Sequence, residues 1–185
     1  MEFLRSIAAH IVSDVPKRTK GKVTIDTKRI YMAGHSNGCM MAFAMAMKHS
    51  DFVAATCCHS GVLLTEAADD YTPTPIWFVF GAKDDIVPFN GTDNFQGLDF
   101  DMPSAQAGYD RLSSVNGCNG TNITVFEEGF TQSALGCTNN ATIDFVTISD
   151  AFHFPFKDVG TTYDTTLAAW NFCSSFELPD EPILD

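Results

Sequence analysis

The chain has 185 residues, of which 45% are hydrophobic, and its formal net charge is −12. This size and apolar content predict one domain with a sizeable core over residues 1–185. The acidity argues against nucleic acid or an anionic membrane as a partner, because both require basic surfaces. No apolar run approaches the roughly 18 residues of a transmembrane helix, and no signal peptide is visible at the start.

The first predicted element is an amphipathic helix from Glu2 to Val15. Its apolar residues recur at helical spacing: Phe3, Leu4, Ile7, Ile11 and Val15. Pro16 is predicted to close this helix, because proline removes a backbone hydrogen bond. The basic stretch Lys17 to Lys22 then reads as a solvated loop.

A short apolar strand, Arg29 to Ala33, leads into Gly34-His35-Ser36-Asn37-Gly38, and a helix to about His49 follows. A G-x-S-x-G sequence between a strand and a helix is typical of a nucleophile elbow, a tight turn that exposes the serine hydroxyl. We expect glycine at 34 and 38 because a Cβ there would collide at the turn and at the helix–strand contact. Ser36 is therefore the candidate nucleophile, and the alternative is an ordinary glycine-bracketed turn.

Strands and helices alternate along the rest of the chain. Ile76 to Phe80 are five consecutive apolar residues, which indicates a strand buried on both faces of a parallel sheet. The remaining predicted elements are an apolar run over Phe52 to His59, a helix over Met102 to Val115, strands over Ile123 to Phe126 and Ala141 to Ser149, and a helix over Tyr163 to Phe176. This alternation predicts the α/β class, with a mainly parallel sheet and flanking helices.

A nucleophilic serine needs a base that takes its proton and a carboxylate that orients the base. In open parallel sheets such groups follow the carboxyl ends of strands. Asp84 and Asp85 come after the strand that ends at Phe80, and we favour Asp84 as the acid, with Asp85 as the alternative. His153 follows the strand that ends at Ser149, in the chain order serine, acid, histidine, and is the predicted base.

The other histidines compete less well for the role of base. His10 and His49 fall on predicted helices, and His35 cannot fold back onto the adjacent Ser36. His59 also ends a strand and is the serious rival, although it precedes the acid in the chain. His35 and His59 are candidates for lining a pocket. Aromatic residues on the two loops that carry the acid and the base either line that pocket as well or pack the loop bases: Phe89, Phe152, Phe154 and Phe156.

The oxygen of a tetrahedral intermediate requires about two N–H donors. The backbone N–H of Asn37, the residue after the nucleophile, is the expected first donor. The second normally comes from a loop earlier in the chain, and only one helix and one strand precede the elbow here.

These residues resemble those of a known family. The stretch Asp26 to Met41, DTKRIYMAGHSNGCMM, is similar to the nucleophile region of the polyhydroxybutyrate depolymerase / feruloyl esterase family of α/β-hydrolases. Gly81 to Phe89 resembles the acid loop of that family and Phe152 to Pro155 its histidine segment, which implies Asp84 and His153 as the other members of a Ser-His-Asp triad. Cys39 departs from the pattern by replacing a second glycine.

Two further departures are that no histidine precedes Gly81 and that Phe154 and Pro155 follow His153 without the tryptophan of the family's G-H-x-W-P segment. Asn116-Gly117-Cys118 and Cys137 resemble an N-G-C…C pair of the family, which implies a disulfide between Cys118 and Cys137. The resemblance also implies a partial α/β-hydrolase fold that lacks the first strands. We therefore expect this chain to be the C-terminal part of a longer, secreted protein.

The function implied by the resemblance is that of a serine carboxylic ester hydrolase with no cofactor and no metal. Its substrates would be small aryl esters, polysaccharide esters such as feruloylated polysaccharide, or a hydroxyalkanoate polyester. One alternative is a serine amidase or peptidase with the same triad. The other is a non-catalytic fragment or polymer-binding module. The sequence alone does not define the oligomeric state.

Two features favour an oxidising compartment, and therefore secretion and glycosylation. The six cysteines are an even number, and four N-x-S/T sequons occur in polar stretches: Asn90, Asn119, Asn122 and Asn140. The pairing of Cys39, Cys57, Cys58 and Cys173 stays open; Cys39 could approach Cys57 or Cys58, or the thiols stay free and buried. Cys57-Cys58-His59 is a poor metal site because adjacent strand residues point to opposite faces.

Overall fold

The computed structural model describes residues 2–97 and 99–179, and these residues form a mixed sheet flanked by helices. The helices are α1 (Glu2–Arg18), α2 (Asn37–Lys48), α3 (Ala105–Val115) and α4 (Thr165–Cys173). The strands are β1 (Tyr31–His35), β2 (Ala55–His59), β3 (Ile76–Gly81), β4 (Gly120–Phe126), β5 (Gly129–Leu135) and β6 (Ile143–Ile148). Their order across the sheet is β1-β2-β3-β6-β5-β4.

Strands β1, β2, β3 and β6 run parallel to one another. Every residue of β2 and β3 is buried, which confirms the prediction drawn from the apolar run at 76–80. Successive side chains of a strand alternate between the two faces of the sheet. Phe78 accordingly packs with Phe43 of α2 on one face, whereas Trp77 packs with Ala169 of α4 on the other. Helices on both faces therefore cover the parallel part of the sheet.

The antiparallel part of the sheet differs from the prediction. The sequence predicted one short strand at 123–126, whereas a full hairpin of β4 and β5 is present, and β5 pairs antiparallel with β6. Strand β5 reads GFTQSAL and alternates poorly between apolar and polar residues. It was missed because its partners on both sides, and not its own pattern, make it a strand.

Helix α1 also departs from the prediction, because Pro16 lies inside the helix and does not close it. A proline this close to the end removes one hydrogen bond of the last turn, and the chain continues to Arg18. No residue of α1 is buried. Phe3, Ile7 and Ile11 are exposed, while Leu4 packs near the cluster that includes Phe52. None of the described helices is both long and apolar enough to span a membrane.

Two disulfides link distant parts of the described chain. Cys118 pairs with Cys137, as the family resemblance implied, and the bridge joins the end of α3 to the end of the hairpin. Cys57 of β2 pairs with Cys173 of α4, across 116 residues of sequence. Closing so long a loop contributes on the order of 4–5 kcal/mol in the chain-entropy view. Cys39 and Cys58 are free, buried thiols, and Cys58 Sγ lies 3.3 Å from the carbonyl oxygen of Cys39, so Cys39 approaches Cys58 without a disulfide between them.

Candidate active site

The candidate site lies where the parallel strands end. Ser36 follows β1, His59 ends β2, Asp84 follows β3 and His153 follows β6. Because parallel strands carry their carboxyl ends to the same edge of the sheet, these four residues share one edge.

Ser36 occupies a strained turn between β1 and α2, with φ 58° and ψ −123°. A positive φ is unusual for a residue with a Cβ and persists only where the surroundings impose it. Gly34 allows the turn, because a Cβ there would lie 2.2 Å from the carbonyl carbon of Gly38. The steric prediction for Gly38 was wrong, since a Cβ on Gly38 would meet nothing within 4 Å. The Ser36 N–H donates to the carbonyl oxygen of His59 at 2.8 Å, which ties the turn to β2.

Asp84 is held rigidly in its loop. Its side chain is fully buried, and its Oδ1 accepts the backbone N–H groups of Ile86 at 3.1 Å and Val87 at 2.9 Å. Asp85, the alternative acid, is exposed. Two N–H donors to one oxygen stabilise the ionised carboxylate and orient its second oxygen.

His153 binds the carboxylate of Asp84. Its Nδ1 lies 2.8 Å from Oδ2 and 3.1 Å from Oδ1, and its side chain is 5% exposed. A carboxylate only accepts, so Nδ1 carries a proton and Nε2 is left as the acceptor of the neutral ring. That tautomer is the one a general base requires.

His35 connects the serine turn to the histidine loop, a contact that the sequence analysis did not foresee. Its Nε2 lies 2.8 Å from the backbone carbonyl oxygen of His153, so this nitrogen must carry the proton that is donated. The His35 ring centroid lies 4.7 Å from that of His153, and the ring stacks on Phe154 at 4.9 Å. Nothing in the local sequence signals this contact, because it depends on how β1 and the loop after β6 meet.

Ser36 Oγ makes no hydrogen bond to the His153 ring within the described residues. Catalytic hydrogen bonds of this kind are often long before substrate binds. The contacts of His35, which is adjacent to Ser36 in the chain, hold the histidine loop against the serine turn.

His59, the rival base, is buried in an apolar setting. Its ring stacks on Phe156 at 4.6 Å, and its Nε2 has no hydrogen-bond partner among residues 2–97 and 99–179. Burial, and to a lesser extent the charge of nearby His35, lowers the pKa of His59 to about 4. His59 is therefore neutral near pH 7, and the carboxylate of Asp84 is paired with His153 instead.

The aromatic residues of the two loops divide into two groups. Phe89 packs toward the core against Phe80 and Phe145. Phe152 and Phe154, on either side of His153, are 56% and 49% exposed. Two exposed rings beside an imidazole form an apolar rim for the site.

Asn37 is the first residue of α2. The first N–H groups of a helix have no intrahelical partner, and the positive end of the helix dipole lies there. The N–H of Asn37, the predicted first oxyanion donor, therefore lies at the positive end of α2, next to Ser36.

A separate cleft of about 710 Å³ lies at the opposite edge of the sheet. It is lined by segments that precede β2 and β3, including Ala54 and Pro75, and by the chain after α4, including Phe176. Its lining does not include Ser36, Asp84 or His153.

The chain is similar to several esterases. A family model described as "Esterase PHB depolymerase" matches residues 5–89, a range that includes Ser36 and Asp84 and ends before His153. The chain is 31% identical over 84 residues to a bifunctional acetylxylan esterase/xylanase of Neocallimastix patriciarum, covering 45% of this chain and 12% of that protein. It is 25% identical over 170 residues to feruloyl esterase B of Piromyces equi, covering 88% of this chain and 30% of that protein.

The chain thus spans at most 30% of the length of these curated relatives. The solved structures that resemble it include two at 14% identity, each matched over 91% of this chain. They are esterase PE8, with a TM-score of 0.51 over 58% of its chain, and an acetyl xylan esterase from Aspergillus awamori, with 0.56 over 67%. These likenesses confirm the prediction of a partial α/β-hydrolase fold.

Proposed function

We propose that this chain is a serine hydrolase that cleaves carboxylic esters, because it is similar to PHB depolymerase and feruloyl esterase-like proteins. Ser36 is the nucleophile, His153 the general base and Asp84 the residue that orients the imidazole. The observation that carries this proposal is the buried pair of His153 and Asp84, on the sheet edge that also bears the strained turn of Ser36.

The reaction proceeds through an acyl-enzyme. Ser36 Oγ attacks the ester carbonyl carbon while His153 Nε2 takes the hydroxyl proton, and the Asn37 N–H donates to the oxyanion that forms. The C–O bond to the alcohol then breaks, and His153 returns the proton to the leaving oxygen. Water attacks the acyl-enzyme by the same route, which releases the carboxylic acid and restores Ser36.

Substitution of the serine tests this proposal. Ser36→Ala removes the attacking oxygen, so turnover of p-nitrophenyl acetate should fall by at least about 10³-fold. The control is Ser114→Ala, an exposed serine of α3, which should leave turnover unchanged. A fluorophosphonate should add its mass to the peptide that contains Ser36. Undiminished activity in Ser36→Ala, or labelling of another serine, would refute the assignment.

The substrate class is proposed from the relatives. The names of two of them specify feruloyl and acetylxylan esters, and the exposed rings of Phe152 and Phe154 suit an aryl or polymer-bound acyl group. Methyl ferulate, acetylated xylan and a hydroxyalkanoate polyester offered at equal ester concentration would rank the three classes. Two disulfides support an oxidising, extracytosolic location for the protein. We also propose that residues 1–185 belong to a single α/β-hydrolase catalytic domain.

A further inference from the structure

Strand β4 is an open edge of the sheet and is exposed along almost its whole length. It pairs with β5 on one side, and within the described chain nothing pairs with its other side. Six of its seven residues, all but Phe126, are exposed. Ile123 is 59% and Val125 78% exposed, an unusual position for two β-branched apolar side chains.

Such an edge is a template for pairing with another strand. Its unpaired N–H and C=O groups can extend the sheet into a second molecule. Folded proteins block such edges with lysine, proline, a bulge or a covering segment. Strand β4 reads GTNITVF and contains neither proline nor a charged residue, and its register with β5 is continuous over seven pairs. A stretch that is uncharged, proline-free and rich in β-formers has the composition of self-associating segments.

The same strand contains an N-glycosylation sequon in its middle, Asn122-Ile123-Thr124. Both polar side chains lie on one face of the strand, with Asn122 Nδ2 3.4 Å from Thr124 Oγ1. Asn122 is exposed. The adjacent sequon begins at Asn119, whose side chain is more confined, because its oxygen lies against Gly136, 2.1 Å from where a Cβ on that glycine would stand.

We propose that Asn122 carries an N-linked oligosaccharide that protects the open edge of β4 from pairing with a second copy of the chain. Neighbouring strands lie about 4.8 Å apart. An oligosaccharide on an edge residue occupies the space that an incoming strand would need. The proposal rests on the oxidising compartment proposed above and is independent of the esterase activity.

The modification is a group transfer from a lipid diphosphate-linked oligosaccharide. Asn122 Nδ2 forms a bond to the anomeric carbon and loses one proton. The bond from that carbon to the diphosphate oxygen breaks, and the lipid diphosphate leaves with the bonding electrons. Thr124 supplies the hydroxyl that the sequon requires.

Expression of the chain in a glycosylating, secretory yeast host tests the assignment. Peptide mass spectrometry should find a glycan on Asn122 in the wild-type chain. Asn122→Gln and Thr124→Ala remove the sequon by different routes, and both should raise the self-associated fraction several-fold in size exclusion with light scattering. Asn90→Gln, which removes an exposed sequon away from the hairpin, is the matched control and should not change association.

A second-site variant separates the edge from other surfaces. Val125→Lys places a charge on β4 and should return Asn122→Gln to the association state of the wild type. Three outcomes would overturn the proposal: a bare Asn122 in the wild-type chain, no change in association when the sequon is removed, or failure of Val125→Lys to restore the wild-type state. The last result would assign the association to another surface, such as the exposed apolar residues of α1, Phe3, Ile7 and Ile11.

Discussion

The parallel and antiparallel parts of the sheet differ in how deeply their strands are buried. Strands β2 and β3 are buried throughout and are covered by helices on both faces, whereas β4 is exposed from Gly120 to Val125. All the candidate catalytic residues follow strands of the parallel part. Burial on both faces fixes the ends of the strands, and fixed strand ends hold reactive side chains in place.

The comparison predicts the largest effect at the acid after β3. Asp84→Asn keeps an oxygen for the N–H groups of Ile86 and Val87 but presents an amide to His153. The amide favours the wrong imidazole tautomer, and we expect kcat for p-nitrophenyl acetate to drop by about 10⁴-fold. The neighbouring Asp85→Asn is the matched control, because Asp85 is exposed. A larger loss at Asp85 than at Asp84 would reverse the assignment of the acid.

The buried His59 at the end of β2 should make the parallel part sensitive to acid. An unfolded histidine has a pKa near 6.5, whereas the pKa of His59 in the fold is lowered to about 4. Below about pH 6.5 the unfolded chain therefore takes up a proton that the folded chain takes up only near pH 4. The free energy of unfolding should fall by about 3 kcal/mol across this interval because of His59.

Urea unfolding at pH 7.5 and pH 4.5 measures this effect. His59→Phe preserves an aromatic ring against Phe156 and should lose about 3 kcal/mol less than the wild type on acidification. His10→Phe, at an exposed position of α1, is the control and should behave like the wild type. Identical losses in wild type and His59→Phe would contradict the account of the buried imidazole.

His35 tests how firmly the serine turn and the histidine loop are held together. His35→Phe keeps the ring packing and removes the hydrogen bond to the His153 carbonyl oxygen. A bond of about 1.4 kcal/mol that positions the base corresponds to about a tenfold loss in kcat, with KM little changed. His35→Gln can still donate an N–H and should recover part of the rate. An unchanged kcat in His35→Phe together with a loss in His35→Gln would indicate that His35 acts through packing alone and would contradict this role of the hydrogen bond.

The parallel part of the fold is also the part that the sequence predicted best. The signals at 76–80 and at Gly34 to Gly38 are local in sequence. A short run of residues is enough to identify the strand in the first case and the turn in the second. Strand β5 was missed because it is defined by its partners and not by its own alternation. The disulfide between Cys57 and Cys173 could likewise not be predicted, because pairing depends on whether two residues far apart in sequence bring their Cβ atoms together in the fold.

The candidate site divides in the same way. The positions of Ser36, Asp84 and His153 after strands β1, β3 and β6 could be predicted from the sequence. Parallel strands carry their carboxyl ends to one edge of the sheet, so residues that follow such strands are expected to lie on that edge. The sequence did not predict the contact of His35 with the His153 loop, nor that His59 Nε2 lacks a hydrogen-bond partner in the described chain. Both are properties of loops packed against one another, and no residue pattern within either loop encodes them.

The smallest effect is expected on the antiparallel part, and one substitution made at two positions measures the contrast directly. Ile123→Thr on β4 keeps a β-branched residue at an exposed position, so the free energy of unfolding should change by less than about 0.5 kcal/mol. Ile76→Thr makes the same change in β3, where the side chain is fully buried, and should cost about 3 kcal/mol because it removes apolar contacts and buries a hydroxyl. Urea midpoints of the two variants give the comparison, and Ile123→Thr leaves the sequon at Asn122 intact. Comparable losses at the two positions would mean that β4 is as deeply covered as β3 in solution, contrary to the exposure of its side chains.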